Sequence, residues 1–142
     1  MQSLIQGLEQ QPTYCPCPKV YLNAQTGVCV LSGRSFMITP YSFYKEILDW
    51  QEAFIKMPKR RIYWCFNLSF VSIGSKKMLL CLLKQLKEYK DLGGEVAIEW
   101  IVSQYDEDLM NEIREIAFFS RIPIRLLHPE TSARNLQRMH II

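Results

Sequence analysis

The sequence predicts an α/β fold in which one mixed sheet carries its helices on a single face. Two observations lead there. The stretch RRIYWCFNLSFV alternates: Ile62, Trp64, Phe66, Leu68 and Phe70 point one way, and Arg61, Tyr63, Cys65, Asn67 and Ser69 the other. Such a strand has one apolar face and one mixed, partly wet face. Around it, strand-like and helix-like patterns follow one another in the order ββαβαβαβ. A strand with one apolar face needs cover on that side only. Crossovers between parallel strands are right-handed, so the helices gather on that side.

Each element has its own signal. Residues 1 to 18, with glutamines, prolines and little periodicity, read as a flexible N-terminal arm. Residues 19 to 127 form the domain, and 128 to 142 a C-terminal tail in which Met139, Ile141 and Ile142 could dock. Val20 to Leu22 and Val28 to Leu31 flank Asn23-Ala24-Gln25-Thr26-Gly27, a hairpin with a glycine where a positive φ is needed. Ser32-Gly33-Arg34-Ser35 reads as a turn. Thr39-Pro40 opens a helix with a cap residue and a proline at the first helical position. Its apolar face is Phe43, Ile47, Trp50 and Phe54, at spacings of four, three and four, and Pro58 ends it.

After the alternating strand, a helix from about Ser75 to Leu92 carries Leu79, Leu82, Leu83 and Leu86 at core spacing. It stops at Gly93-Gly94, one of which takes the left-handed cap. Val96, Ile98, Trp100 and Val102 alternate as a second central strand. Asp106-Glu107-Asp108 puts negative charge at the start of a third helix, which buries Leu109, Ile113 and Ile116. Ile122 to Leu127 is a short strand interrupted by Pro123, hence an edge.

Composition limits what such a domain does. With 142 residues, 49% of them hydrophobic and 22% charged, the chain supports one genuine core and is not disordered as a whole. Its longest apolar run, Met78 to Leu83, is too short for a bilayer. The start, MQSLIQGLEQQ, has neither the basic lead nor the apolar stretch of a secretory signal, so a cytoplasmic protein is expected. Five cysteines lack the spacing of a disulfide framework. Cys29, Cys65 and Cys81 fall in apolar elements, and Cys15-Pro16-Cys17 is one residue tighter than a metal or redox C-x-x-C, so no metal or cofactor is expected.

No active site assembles. The two histidines, His128 and His140, lie in or beside the tail, the acidic triplet is explained by its helix start, and no glycine-rich phosphate loop is present. A thiol enzyme on Cys65 or Cys81 would need an exposed thiolate beside a cation, and it ranks last. A net charge of +3 is mild. The basic alternative is a small nucleic-acid binder using Lys59, Arg60, Arg61, Arg134 and Arg138, with steeply salt-dependent binding.

What remains is FVSIGSKKMLL, residues 70 to 80. Free N–H groups and the positive end of a helix dipole make such a start a place for an anion, with Lys76 and Lys77 beside it. The plainer reading is that Ser72 caps the helix and Ile73 and Gly74 form its first turn.

Taken in order, PKVYLNAQTGVCVLSGRS, SFYKEILDW, SKKMLLCLLKQLKEY, GGEVAIEWIV, DEDLMNEI and PIRLL resemble the SiaC-like bacterial regulatory phosphoproteins over roughly residues 18 to 127. The family is similar in fold to STAS domains. The resemblance implies a non-catalytic regulator that works by partner switching. A kinase phosphorylates a threonine at the start of the second helix, a metal-dependent phosphatase removes the phosphate, and the unmodified form binds a diguanylate cyclase, raising cyclic di-GMP and favouring biofilm. An adaptor like an anti-sigma-factor antagonist is the neighbouring alternative. The partner-binding stretch it implies is Ser72, Ile73, Gly74, Ser75, Lys76 and Lys77, in a monomer or homodimer.

The chain departs from the family motif of aromatic, apolar, Asn, Thr, Ser, Ser. Those places fall on Phe70, Val71, Ser72, Ile73, Gly74 and Ser75, so the phosphoacceptor position is Ile73, which has no hydroxyl. Three readings compete. Isoleucine, β-branched like threonine, fixes the unphosphorylated, binding state; or Ser75 or Ser72 takes the phosphate instead; or the site is vestigial and the fold serves another partner. The first is preferred.

Overall fold

The computed structural model of the chain describes residues 4–6, 17–37, 39–57 and 60–128. In order, its elements are β1 (Leu4–Gln6), β2 (Lys19–Leu22), β3 (Val28–Ser35), α1 (Pro40–Ile55), β4 (Arg61–Val71), α2 (Ile73–Asp91), β5 (Glu95–Ile101), α3 (Glu107–Ser120) and β6 (Arg125–Leu127). All six strands form one sheet in sequence order. The β1–β2 and β2–β3 pairs are antiparallel, and β3 to β6 run parallel. The parallel strands are laid down in one direction without a reversal, so three right-handed crossovers place all three helices on the same face. Among the described strands the order contains no reversal, and so no topological switch point.

The α/β class and the helices on one face are as expected; several details differ. The stretch assigned to an arm contains β1, whose Leu4 to Gln6 pair with Leu22 to Val20. Three residues leave no alternation to read. Ser32 to Ser35 is not a turn but the second half of β3, and α2 begins at Ile73 rather than at about Ser75, in line with the plainer reading that Ser72 is its cap. Gly33 pairs with Leu68 but Arg34 pairs with Phe70, so Ser69 is an extra residue in β4. This bulge reverses the facing of the two residues after it. Val71 turns into the core, and Phe70 leaves the face it was assigned with Ile62 to Leu68 and is part-exposed. The remaining residues of the arm, and the tail beyond His128, lie outside the described residues, as do Pro58 and Lys59.

The core lies between the sheet and the helices. Trp64 stacks on Phe66 at 5.1 Å between centroids, and Phe66 meets Trp100 at 5.3 Å. Above them α1 presents Tyr44, Ile47, Gln51 and Phe54, whereas the predicted face members Phe43 and Trp50 sit at its margin. Gln51 explains the shift. Its Oε1 accepts from the Trp64 indole N–H at 2.7 Å, and its amide donates to the Leu82 carbonyl at 3.0 Å and to Gln85 Oε1 at 2.7 Å. A fully satisfied amide sits in a core without the penalty of an unpaired one.

The helix-free face is drier at its centre than the alternation suggested. Tyr63, with 3% exposure, and Cys65 form a small buried cluster with Val28 and Ile101, while Asn67 and Ser69 are exposed. Tyr63, assigned by alternation to the partly wet face, is therefore not exposed. Glu99, also placed on the wetter side, is buried here.

The hairpin loop between β2 and β3 is tied down from both sides. Asn23 Oδ1 accepts from the N–H groups of Gln25 and Thr26, and Arg60 donates to the Ala24 and Gln25 carbonyls at 2.6 and 2.8 Å. The Arg60 guanidinium also lies 4.4 Å from the Phe54 ring centroid. Arg61 pairs with Glu95 at 3.2 Å. Two of the basic residues on which a nucleic-acid surface would rest are thus engaged within the domain.

Candidate functional site

The site is built where β3 and β4 end and α1 and α2 begin. Ser72 has extended backbone angles, and its Oγ accepts from the Ser75 N–H at 3.3 Å while donating to Ser75 Oγ at 3.0 Å. This is side-chain capping of free helix N–H groups. The Ser72 N–H donates to the Ser35 carbonyl at 2.8 Å, which fastens the helix start to the end of β3. Gly74 passes beneath α1. A Cβ there would lie 3.1 Å from Pro40 Cγ, so the two helix starts approach more closely than most side chains allow.

Ile73, at the first position of α2, points outward with 78% of its surface exposed. Ser75 faces the opposite way and is fully buried. It closes a cluster of hydroxyls in which Ser35 Oγ and Tyr44 Oη lie 2.6 Å apart. Burial pushes the Tyr44 hydroxyl up to about 12, against the opposing pull of the Ser35 and Ser75 hydroxyls beside it. Lys76 crosses to α3, bonding Glu112 at 2.9 Å and Glu115. The Glu115 bond and the second glutamate hold its pKa above the ordinary 10.5 against partial desolvation. Lys77 is exposed.

The six predicted site residues thus separate into three roles. Ile73 and Lys77 face solvent. Ser72 and Gly74 shape the helix start. Ser75 and Lys76 are committed inside the domain. Lys76, expected to neutralise a phosphate, already has two carboxylates.

Three further residues at this end escaped the sequence reading: Arg34, Phe36 and Phe70. Arg34 and Phe36 were hidden in or beside the apparent turn SGRS, and Phe70 was assigned to the core by an alternation that the bulge interrupts. The usable signal was a glycine, Gly33, inside a β-prone run, which often marks a bulge.

Among the described residues at this end, none places a nucleophile beside a base. Elsewhere, burial pushes the Cys65 thiol up to about 11, which makes it inert rather than catalytic. Cys81, expected to be buried or half-buried, is exposed on α2. Among the described residues no helix is long and apolar enough to cross a membrane. The geometry offers a surface, hydrogen-bonded beneath and partly apolar on top.

The fold superposes on SiaC of Pseudomonas aeruginosa with a TM-score of 0.76 at 21% identity, covering 90% of this chain and 99% of that one. It superposes with a TM-score of 0.74 at 20% identity on a chain in the crystal structure of the diguanylate cyclase SiaD in complex with its activator SiaC, also from Pseudomonas aeruginosa. That match covers 80% of this chain and 94% of the other. An uncharacterised protein of Pseudomonas aeruginosa strain UCBPP-PA14 is 25% identical over 105 residues, 72% of this chain and 83% of its own length. The SiaC family regulatory phosphoprotein family is matched over residues 11–128. The chain therefore belongs to the SiaC family of regulatory phosphoproteins, a family of regulators and not of catalysts.

Proposed function

We propose that this protein is the non-catalytic partner-binding component of a bacterial switching module. It engages a diguanylate cyclase through the start of α2, with Ile73 fixing it in the binding state. The observation that carries this reading is the 78% exposure of Ile73 on a capped, anchored helix start. An isoleucine there presents apolar surface to a partner. A threonine would present a hydroxyl that a kinase could load with nearly two negative charges. The cyclase as partner follows from the complex formed by the related SiaC.

Of the two shifted acceptors, Ser72 is the accessible one, because phosphoryl transfer to Ser75 would require the buried hydroxyl cluster to open. A phosphate on Ser72 would sit at a helix N-terminus, where the dipole favours it. It would also displace the cap that Ser72 now provides.

The test uses purified diguanylate cyclases of the native host and measures both binding and cyclic di-GMP output. Wild type is expected to bind one cyclase and raise its output, and Ile73→Glu to lose both. Equal binding by Ile73→Glu would exclude the α2 start as the contact. Intact-mass measurement on protein from the native host then separates the switch readings. Unmodified protein supports a fixed state, and phosphate on Ser72 supports a shifted acceptor.

A further inference from the structure

The bulge at Ser69 has a chemical consequence at the same end of the domain. It brings Phe70 beside Phe36, the ring centroids 6.2 Å apart and the planes at 76°. Both rings stay on the surface, at 43% exposure for Phe36 and 42% for Phe70. Between them lies Arg34, its guanidinium carbon 5.2 Å from the Phe36 centroid and 5.3 Å from the Phe70 centroid. The Arg34 side chain is exposed, and among the described residues its guanidinium forms no ion pair or hydrogen bond.

Fold stability does not require this arrangement. An exposed cation–π contact contributes less than burying a phenylalanine side chain would. What the rings do supply is orientation. They hold a planar fork by its apolar surroundings, so its N–H groups remain free for a bidentate carboxylate. The cluster is continuous with the α2 start: Ser35, between Arg34 and Phe36, holds the Ser72 N–H, and Phe70 lies two residues before Ser72. Lys76 is neutralised by α3, while Lys77 keeps its charge exposed, so Arg34 and Lys77 both present positive charge at this end. An acidic, partly apolar partner segment is the complement.

We infer that Arg34, oriented by Phe36 and Phe70, anchors an Asp or Glu side chain of the protein partner, whose neighbouring apolar residue packs on the two rings and Ile73. This rests on the reading of the α2 start as the partner surface and adds the chemistry that recognises the partner.

The test measures equilibrium binding of the host's purified diguanylate cyclases to wild type, Arg34→Met, Arg34→Lys and Ile73→Glu, at low and high salt. Thermal melts confirm that each variant is folded. Arg34→Met keeps an apolar stem and loses the fork. It should weaken binding about tenfold or more and flatten the salt dependence. Arg34→Lys should recover only part of the loss, because an ammonium is not a fork. If Ile73→Glu abolishes binding while Arg34→Met binds like wild type with the same salt dependence, the anchor is overturned and the partner surface stands. If Ile73→Glu also binds normally, or no cyclase binds, the partner surface is overturned and the anchor with it.

Discussion

The Ser72 backbone N–H donates to the Ser35 carbonyl at 2.8 Å, joining the cap of α2 to the last residue of β3. One bond thereby links the exposed Ile73, the buried hydroxyl cluster and the Arg34–Phe36 edge. The three parts of the candidate surface share this junction.

Replacing Ser72 by alanine removes the cap oxygen but keeps the backbone bond. The variant should lose about 1 kcal/mol, read as a lower midpoint in urea unfolding. Ser72→Asp retains an acceptor, adds a charge that the helix dipole favours, and should unfold close to wild type. An alanine variant with an unchanged midpoint would mean that the cap contributes nothing.

Gly27 has φ +77°, and a Cβ on it would fall 2.0 Å from the Arg61 carbonyl oxygen. Its own carbonyl accepts from the Tyr63 N–H at 2.9 Å. Gly27→Ala therefore forces backbone, not a flexible side chain, to move. A loss of at least about 2 kcal/mol is expected, seen as a melting temperature lowered by roughly 5 °C or more. A melt within a degree or so of wild type would show that the β2–β3 loop adapts freely.

Gln51→Leu leaves the Trp64 indole N–H buried without its acceptor and strips the Leu82 carbonyl of a donor. A cost of about 2–4 kcal/mol is expected from two unmade buried bonds. Tryptophan fluorescence should also shift, since Trp64 loses its polar neighbour. Wild-type stability in this variant would mean that water replaces the amide.

The Lys76 pair with Glu112 and Glu115 has a defined pH dependence. The folded-state pKa is raised above 10.5, so its stabilisation is fully present below that value and is lost as pH rises through the raised one. Lys76→Met should melt below wild type at neutral pH by about 1 kcal/mol or less, given the partly exposed glutamates. The two melting curves should converge in strong alkali. A gap of constant size across that range would assign the effect to packing of the lysine stem.

Much of the fold was legible because single-element patterns report it. Alternation from Ile62 to Leu68, leucines at helical spacing in α2 and the acidic start of α3 each name an element without reference to the others. Glycine punctuation at Gly27 and Gly93 did the same, both taking positive φ. The readings that failed depend on partners in another element. Gln51 looks polar until Trp64 and Leu82 are beside it. Ser32 to Ser35 looks like a turn until β4 pairs with it. Tyr63 and Glu99 look wet because alternation reports which face a residue is on, not how well that face is covered.

The same division holds at the site. Sequence alone determined the family pattern, the strand-to-helix step at Ser72 to Ser75 and the absence of a hydroxyl at residue 73, because these are matters of covalent identity and local spacing. Tertiary structure alone decided that Ser75 is buried, that Lys76 is taken by α3 and that Arg34 lies between two exposed rings. Each depends on where a second element stands. A one-residue bulge in β4 was enough to turn Phe70 from a core side chain into part of a surface.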